Sequence, residues 1–237
     1  MEQLSTRHIS QQFNEEIETL RNRVMKMGGL VEQQIYRSVD ALRNLDIKLA
    51  QKVINKDHKV NAMEVRIDEE CAQMLALRQP TASDLRMVVA VIKTITDLER
   101  IGDEAEKIAT MAELISEGGG KFHKRYAGIQ HLGKQVAGML HDVLDAFARL
   151  DVDTAIDVVR ADDTADTEYQ SLMRQLLTYM MEDPRTISES LDIMWAARAL
   201  ERIGDHAKNI GEYVIYLVKG KDVRHIDIEE IEKDILS

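Results

Sequence analysis

A chain of 237 residues with 44% hydrophobic side chains can bury a sizeable core, yet only 4% of it is aromatic and two residues are proline. That balance excludes sandwiches and barrels, which lean on aromatic and β-branched residues, and favours helices. With 42 acidic against 31 basic residues the net charge is −11, which makes the chain a poor phosphate-backbone binder and excludes nucleic acid as an expected partner. The single cysteine, Cys71, excludes an internal disulfide and fits a reducing compartment. Met1 is followed by polar sequence without an apolar signal core, and the longest apolar run, residues 87–92, is far short of a membrane span. A soluble, cytoplasmic protein is expected, meeting a membrane only through partners.

Helical spacing starts near Ile9 and carries Phe13, Ile17, Leu20, Val24, Met27, Val31, Ile35, Val39 and Leu42 in steps of three or four. Gly28-Gly29 falls inside that pattern without proline or a turn cluster, so a close helix contact or local bend is expected rather than a break. A first helix should end near Asn44-Leu45, with Asp46 capping a second. The second carries Ile47, Val53, Val60, Ile67, Cys71 and Met74 as one element and ends before Pro80. Cys71 lies at helical spacing from Ile67, Met74 and Leu75, which predicts a buried structural thiol. Thr81 or Ser83 should cap a third helix that runs to about Ser116. Gly118-Gly119-Gly120 then marks the clearest boundary in the chain.

The second part repeats the plan. A fourth helix is expected over residues 126–150, with Asp151 capping a fifth. Asp183-Pro184 is an N-cap followed by proline at the first helical position, and Thr186 with Glu189 offers a capping box. A sixth helix runs to about Lys219, and a charged tail follows with Ile226, Ile228, Ile231 and Ile235 as its apolar anchors. Trp195 and the twelve methionines sit at helical spacing, where core filling is the expected role.

Leu98-Glu99-Arg100-Ile101-Gly102-Asp103 recurs in full as Leu200-Glu201-Arg202-Ile203-Gly204-Asp205, a shift of 102 residues. Earlier helices align at a shift of 105: Leu45-Asp46-Ile47 falls on Leu150-Asp151-Val152, and Asp57 falls on Asp162. This is an internal duplication. The expected fold is all-α: two tandem three-helix bundles of six long antiparallel helices, end to end or side by side. The boundaries are 1–117 for the first bundle, 118–125 for a glycine-rich linker, 126–219 for the second bundle and 220–237 for the tail.

Each repeat sets a Glu and an Asp four residues apart, on one face of a helix. Asp57 and Asn61 make a second such pair on helix two, and their equivalents are Asp162 and Asp166. The candidate metal ligands are therefore Asp57, Asn61, Glu99 and Asp103 in the first half, and Asp162, Asp166, Glu201 and Asp205 in the second. Carboxylates converging without histidine suit hard cations, Mg²⁺, Mn²⁺, Ca²⁺ or ferric iron. In a chain that is 31% charged, one such pair carries no weight, and Arg100 and Arg202 could neutralise it without metal. Its duplication, together with Gly102 and Gly204 placed inside helices at a cost of about 1 kcal/mol each against alanine, argues for a site. His206 follows the second motif where the first has Glu104, so it is expected to be peripheral.

No Glu-x-x-His, phosphate-binding glycine loop or nucleophile elbow is present, and no catalytic residue is assigned. A metal-dependent phosphohydrolase or oxidase and a purely structural scaffold remain the alternative readings. Two near-identical clusters leave no distinct residue for proton transfer, which counts against the enzyme.

The repeated motif, with Met25-Lys26-Met27-Gly28-Gly29, the stretch from Arg78-Gln79-Pro80 to Leu85-Arg86 and Tyr216-Leu217-Val218-Lys219-Gly220, resembles the PhoU family over nearly the whole chain. The resemblance implies a pair of three-helix bundles with surface metal clusters, and a non-enzymatic role. That role is negative regulation of the phosphate-starvation response by coupling the ATPase subunit of the phosphate ABC transporter to a sensor histidine kinase. A homodimer is expected on the same ground. The family's acidic motifs fall on Glu99 and Asp103 with Asp57, and on Glu201 and Asp205 with Asp162 and Asp166. Asn61 departs from the pattern by bringing no charge, so the first site is expected to be the weaker.

Overall fold

Polar caps and apolar stripes translate into seven helices in the computed structural model, which describes residues 2–80, 82–120, 127–224 and 226, with side chains from Asn14 onward. In chain order they are α1 (Glu2–Asn44), α2 (Ile47–Ile54), α3 (His58–Arg78), α4 (Ala82–Glu117), α5 (Ala127–Arg149), α6 (Val152–Glu182) and α7 (Ile187–Lys219). A 3-10 turn, Pro184–Thr186, leads into α7, and no strand occurs among the described residues. The all-α expectation holds. The single helix expected after Asp46 does not, because residues 55–57 separate α2 from α3. There the backbone tightens into three-residue bonds, Lys56 N–H to Val53 O at 3.0 Å and Lys59 N–H to Lys56 O at 3.0 Å. Asn55 is a poor helix former that competes for local hydrogen bonds, whereas the second half has Arg160 at that position and α6 is unbroken.

The caps are duplicated like the motif. Asp46 Oδ1 accepts from Leu49 N–H at 3.0 Å, and Asp151 Oδ1 accepts from Asp153 and Thr154 N–H at 3.1 and 3.2 Å. Before each cap a leucine turns left-handed, Leu45 at φ 49° and Leu150 at φ 57°. The next N–H then bonds back to Ala41 O at 3.0 Å and to Ala146 O at 2.9 Å, closing the preceding helix. Asp183 caps the 3-10 turn with Pro184 at its start. Thr186 forms no capping box; its hydroxyl donates to Asp183 O at 2.8 Å instead. Ser83 lies inside the first turn of α4 rather than at its cap, and Thr81 lies outside the described residues.

The halves lie side by side. α4 runs antiparallel along α7, with contacts from Arg86 to Leu217 O, Asp97 to His206 and Glu104 to Arg202. α1 runs antiparallel along α5 through a reciprocal pair of glycines. A Cβ on Gly28 would come 2.6 Å from Leu144 Cδ2, and one on Gly133 would come 2.8 Å from Val39 Cγ2. Gly133 and Leu144 are the duplicates of Gly28 and Val39, so the contact is written twice about a pseudo-two-fold axis. One apolar core crosses from half to half without interruption.

Cys71 is buried, and burial pushes its thiol up to about 12. Trp195 is not core: it is 66% exposed, and Met181 is also on the surface, whereas Met27, Met74, Met87 and Met139 are buried. Helical spacing cannot separate the inner from the outer face of a long helix that is apolar on both. In the tail, Val223 is buried and Ile226 packs against the core; Ile228, Ile231 and Ile235 lie outside the described residues.

Gly133→Ala should destabilise the fold by about 1–3 kcal/mol, since Val39 is locked in its helical rotamer and cannot yield. Gly138→Ala, on the same helix with open space around its Cβ position, should stabilise by roughly 0.5–1 kcal/mol. Urea unfolding of the two variants checks the pair, and equal effects would remove the glycine contact as the explanation.

Candidate metal centre

Asp57 sits in the interruption between α2 and α3 and is only 4% exposed. It faces α4 at Gly102, where a Cβ would lie 3.1 Å from Asp57 Oδ1. Asp162 on α6 is 3% exposed and stands 3.4 Å from the Cβ position of Gly204 on α7. Each motif glycine thus clears the surface against which a buried aspartate from the neighbouring helix rests. That accounts for glycine inside both helices.

Around Asp57 the carboxylates converge. Asp57, Asp103 and Glu106 each offer an oxygen, and the three oxygens lie within 4.8 Å of one another. Asp103 and Glu106 are three apart on α4, hence on one face. From α1, Gln34, 5% exposed, donates its Nε2 to Asp57 Oδ1 at 3.3 Å. Its Oε1 is buried without a hydrogen-bond partner, 3.4 Å from the Gly102 Cβ position. The Asn61 amide lies near enough to lower the Asp57 pKa, and its own Oδ1 is likewise buried and unpartnered. Glu99 lies at the rim, outside the group of three; Arg100, half-exposed, spans Glu99 at 3.6 Å and Asp103 at 3.8 Å. Burial first, then the neighbouring carboxylates, raise the pKa values of Glu99 and Glu106 above the ordinary carboxylate value. Asp57 is raised by burial and by Asp103, against the two amides that lower it.

The second set is close enough for its charges to interact but, among the described residues, no three of its oxygens lie within 4.8 Å of one another, and its electrostatic state differs. Lys208 on α7 donates its Nζ to Asp162 Oδ2 at 2.9 Å, and Arg198 reaches Glu201 Oε1 at 2.5 Å. Burial and the adjacent carboxylates raise Asp166, Glu201 and Asp205, while Lys208 and Arg198 lower Asp166, Arg198 lowers Glu201, and His206 and then Lys208 lower Asp205. Arg202 turns away and pairs with Glu104 across the α4–α7 seam at 3.0 Å. His206 lies in the same seam, its Nδ1 2.7 Å from Asp97 Oδ1, and its charge also acts on Asp205.

Of the eight predicted ligands, Asp57 and Asp103 come within ligand distance of a third carboxylate, while Glu99 and the four of the second half form no such group among the described residues; Glu106 and Gln34 were not predicted. Glu106 was legible, since it continues the face of Glu99 and Asp103 by one more turn. Gln34 was not, because an amide on another helix carries no spacing signal. A pocket of carboxylate and amide oxygens without nitrogen or sulfur, cleared by a glycine, fits a hard cation.

The PhoU domain family matches residues 24–112 and 129–214, one match in each half. The chain belongs to the PhoU family. It is 52% identical over 230 residues to a phosphate-specific transport system accessory protein PhoU homolog of Pseudomonas aeruginosa, covering 97% of this chain and 95% of that one. It is 50% identical over 228 residues to the PhoU accessory protein of Escherichia coli, covering 96% of this chain and 93% of that one. The crystal structure of PhoU from Pseudomonas aeruginosa superposes with a TM-score of 0.85 at 52% identity, over 88% of this chain and 100% of that one. The phosphate transport system regulatory protein PhoU of Streptococcus pneumoniae gives 0.82 at 31% identity, over 89% and 99%.

The sign of the pH dependence follows from the raised carboxylates. A carboxyl raised on folding penalises the native state while ionised, and the penalty lifts as pH falls through its raised value. With EDTA present, melting temperature should climb as pH drops from neutrality toward the ordinary carboxylate range. Glu106→Gln should raise it at neutral pH and flatten that climb. Calorimetry across a pH series measures both, and a steady fall from neutrality would refute the assignment.

Proposed function

We propose that this chain is a cytoplasmic, non-enzymatic adaptor that represses the phosphate-starvation response and restrains phosphate uptake. It couples the ATPase subunit of the phosphate ABC transporter to a sensor histidine kinase, and it works as a homodimer. The observation that carries the reading is the match over nearly the full length of two-bundle phosphate-specific transport accessory proteins, at half identity. No helix among the described residues is long and apolar enough to cross a membrane, so contact with the transporter and kinase is lateral, through helical faces. Deleting the gene should derepress alkaline phosphatase in high phosphate, and a plasmid copy should restore repression. Unchanged repression in the deletion strain would overturn the proposal.

The metal part of the reading assigns Asp57, Asp103 and Glu106, with the Gln34 and Asn61 oxygens, to a hard cation such as Mn²⁺, Mg²⁺ or iron. The bound charge would offset the repulsion among these carboxylates, so its contribution is to fold stability and surface charge rather than to chemistry. Linkage gives about 2.7 kcal/mol at about 100 times Kd. Thermal melting with EDTA and then with Mn²⁺ should show a clear upward shift, and identical curves would reject the site.

A further inference from the structure

The duplicated clusters are not copies of one site. At the 102-residue shift Lys208 stands where the first half has Glu106, and at the 105-residue shift Met139 stands where it has Gln34. The structure puts both replacements in the same places. Asp57 Oδ1 and Gln34 Oε1 approach Gly102, while Asp162 Oδ1 and the Met139 Cε methyl approach Gly204. Glu106 joins Asp57 and Asp103, while the Lys208 ammonium sits 2.9 Å from Asp162 Oδ2. A hard-oxygen donor has become a thioether, and an anion has become a cation.

Resting on the metal reading above, we infer that each chain carries one exchangeable hard-cation site, at Asp57, Asp103, Glu106 and Gln34, and that Lys208 is the second cluster's built-in cation. The charge inventory supports the division. Among the described residues, Arg100 is the one cation within 4 Å of Asp57, Glu99, Asp103 or Glu106, loosely placed at 3.6 and 3.8 Å from its partners; His58 near Asp57 and Lys107 near Glu106 act from farther off, and Lys107 is held by Glu104 at 2.9 Å. Asp162, Asp166, Glu201 and Asp205 share two close cations, Lys208 at 2.9 Å and Arg198 at 2.5 Å. Position 96, the duplicate of Arg198, is Thr96 and supplies no charge. Glu201 Oε2 is also buried and unpartnered, but its other oxygen is held by Arg198, so that carboxylate already has its counter-charge. The buried, unpartnered Gln34 Oε1 has no such cover. An ammonium held on a covalent tether in a half-buried cluster does not dissociate, so an incoming ion must displace it.

The test is equilibrium dialysis of the full chain against Mn²⁺, with far-UV circular dichroism as the folding control. Wild type should bind one ion per chain, Glu106→Lys none, and Lys208→Glu two. Lys208→Gln and Glu106→Gln serve where a charge reversal fails to fold: the first should add a second, weaker ion, and the second should weaken the single ion at least tenfold. Two ions in wild type would overturn the inference and leave the metal reading standing. So would a single ion that survives Glu106→Lys. No ion in any variant would overturn both.

Discussion

Everything distinctive in this molecule follows from burying one aspartate per half, Asp57 and Asp162, against a glycine of the facing helix. An ionised carboxylate this far out of water costs several kcal/mol unless it is hydrogen-bonded or neutralised. With a glycine opposite, the carboxylate lies on the backbone of α4 or α7 instead of being pushed into solvent. The helix accepts the propensity cost of glycine for that contact. The next turn of α4 and α7 must then supply partners, and it does so with opposite chemistry: Glu106 in one half, Lys208 in the other.

The same division runs through the contacts between the halves. The apolar and glycine contacts obey the pseudo-two-fold axis, as Gly28 with Leu144 and Gly133 with Val39 show. The polar contacts do not. Asp97 faces His206 and accepts from Asn209 Nδ2 at 3.1 Å, yet the duplicate of Asp97 is Ala199 and that of His206 is Glu104, which pairs with Arg202. Packing shape is hard to change one side chain at a time, because each loss leaves a cavity or a clash. Surface-linked polar pairs can be replaced as long as each buried charge keeps a partner. Duplication has therefore preserved the frame and let the charges diverge.

What could be read from the sequence divides along the same line. The helices, the Asp46 and Asp151 caps, the close contact at Gly28 and the approach of Asp57 to Asp103 follow from spacing. The break at residues 55–57 does not, since apolar spacing continues across it and only weak local preferences oppose the helix. Trp195 was misplaced because periodicity reports that a face is apolar without saying whether anything packs on it. Thr186 matched a capping box but is the last residue of a 3-10 turn, where its hydroxyl finds the Asp183 carbonyl first.

The inferred ranking of the two clusters turns on net charge rather than on the number of carboxylates. By sequence the second cluster is richer, because Asp166 replaces Asn61, and it was expected to be the stronger site. In the structure what matters is the charge left after nearby cations are included, and how many oxygens still lack a partner. Lys208 and Arg198 come from α7 itself, within one or two turns of Asp205 and Glu201, and close upon the second cluster. In the first cluster Arg100 stays at the exposed edge while Gln34 arrives from α1 with an oxygen unspent. A neutral amide in place of a carboxylate lowers the desolvation cost of a buried cluster without removing a ligand atom. On the inference drawn above, Asn61 and Gln34 make the first cluster less self-repulsive while keeping oxygens for an ion, the reverse of the order expected from the missing charge.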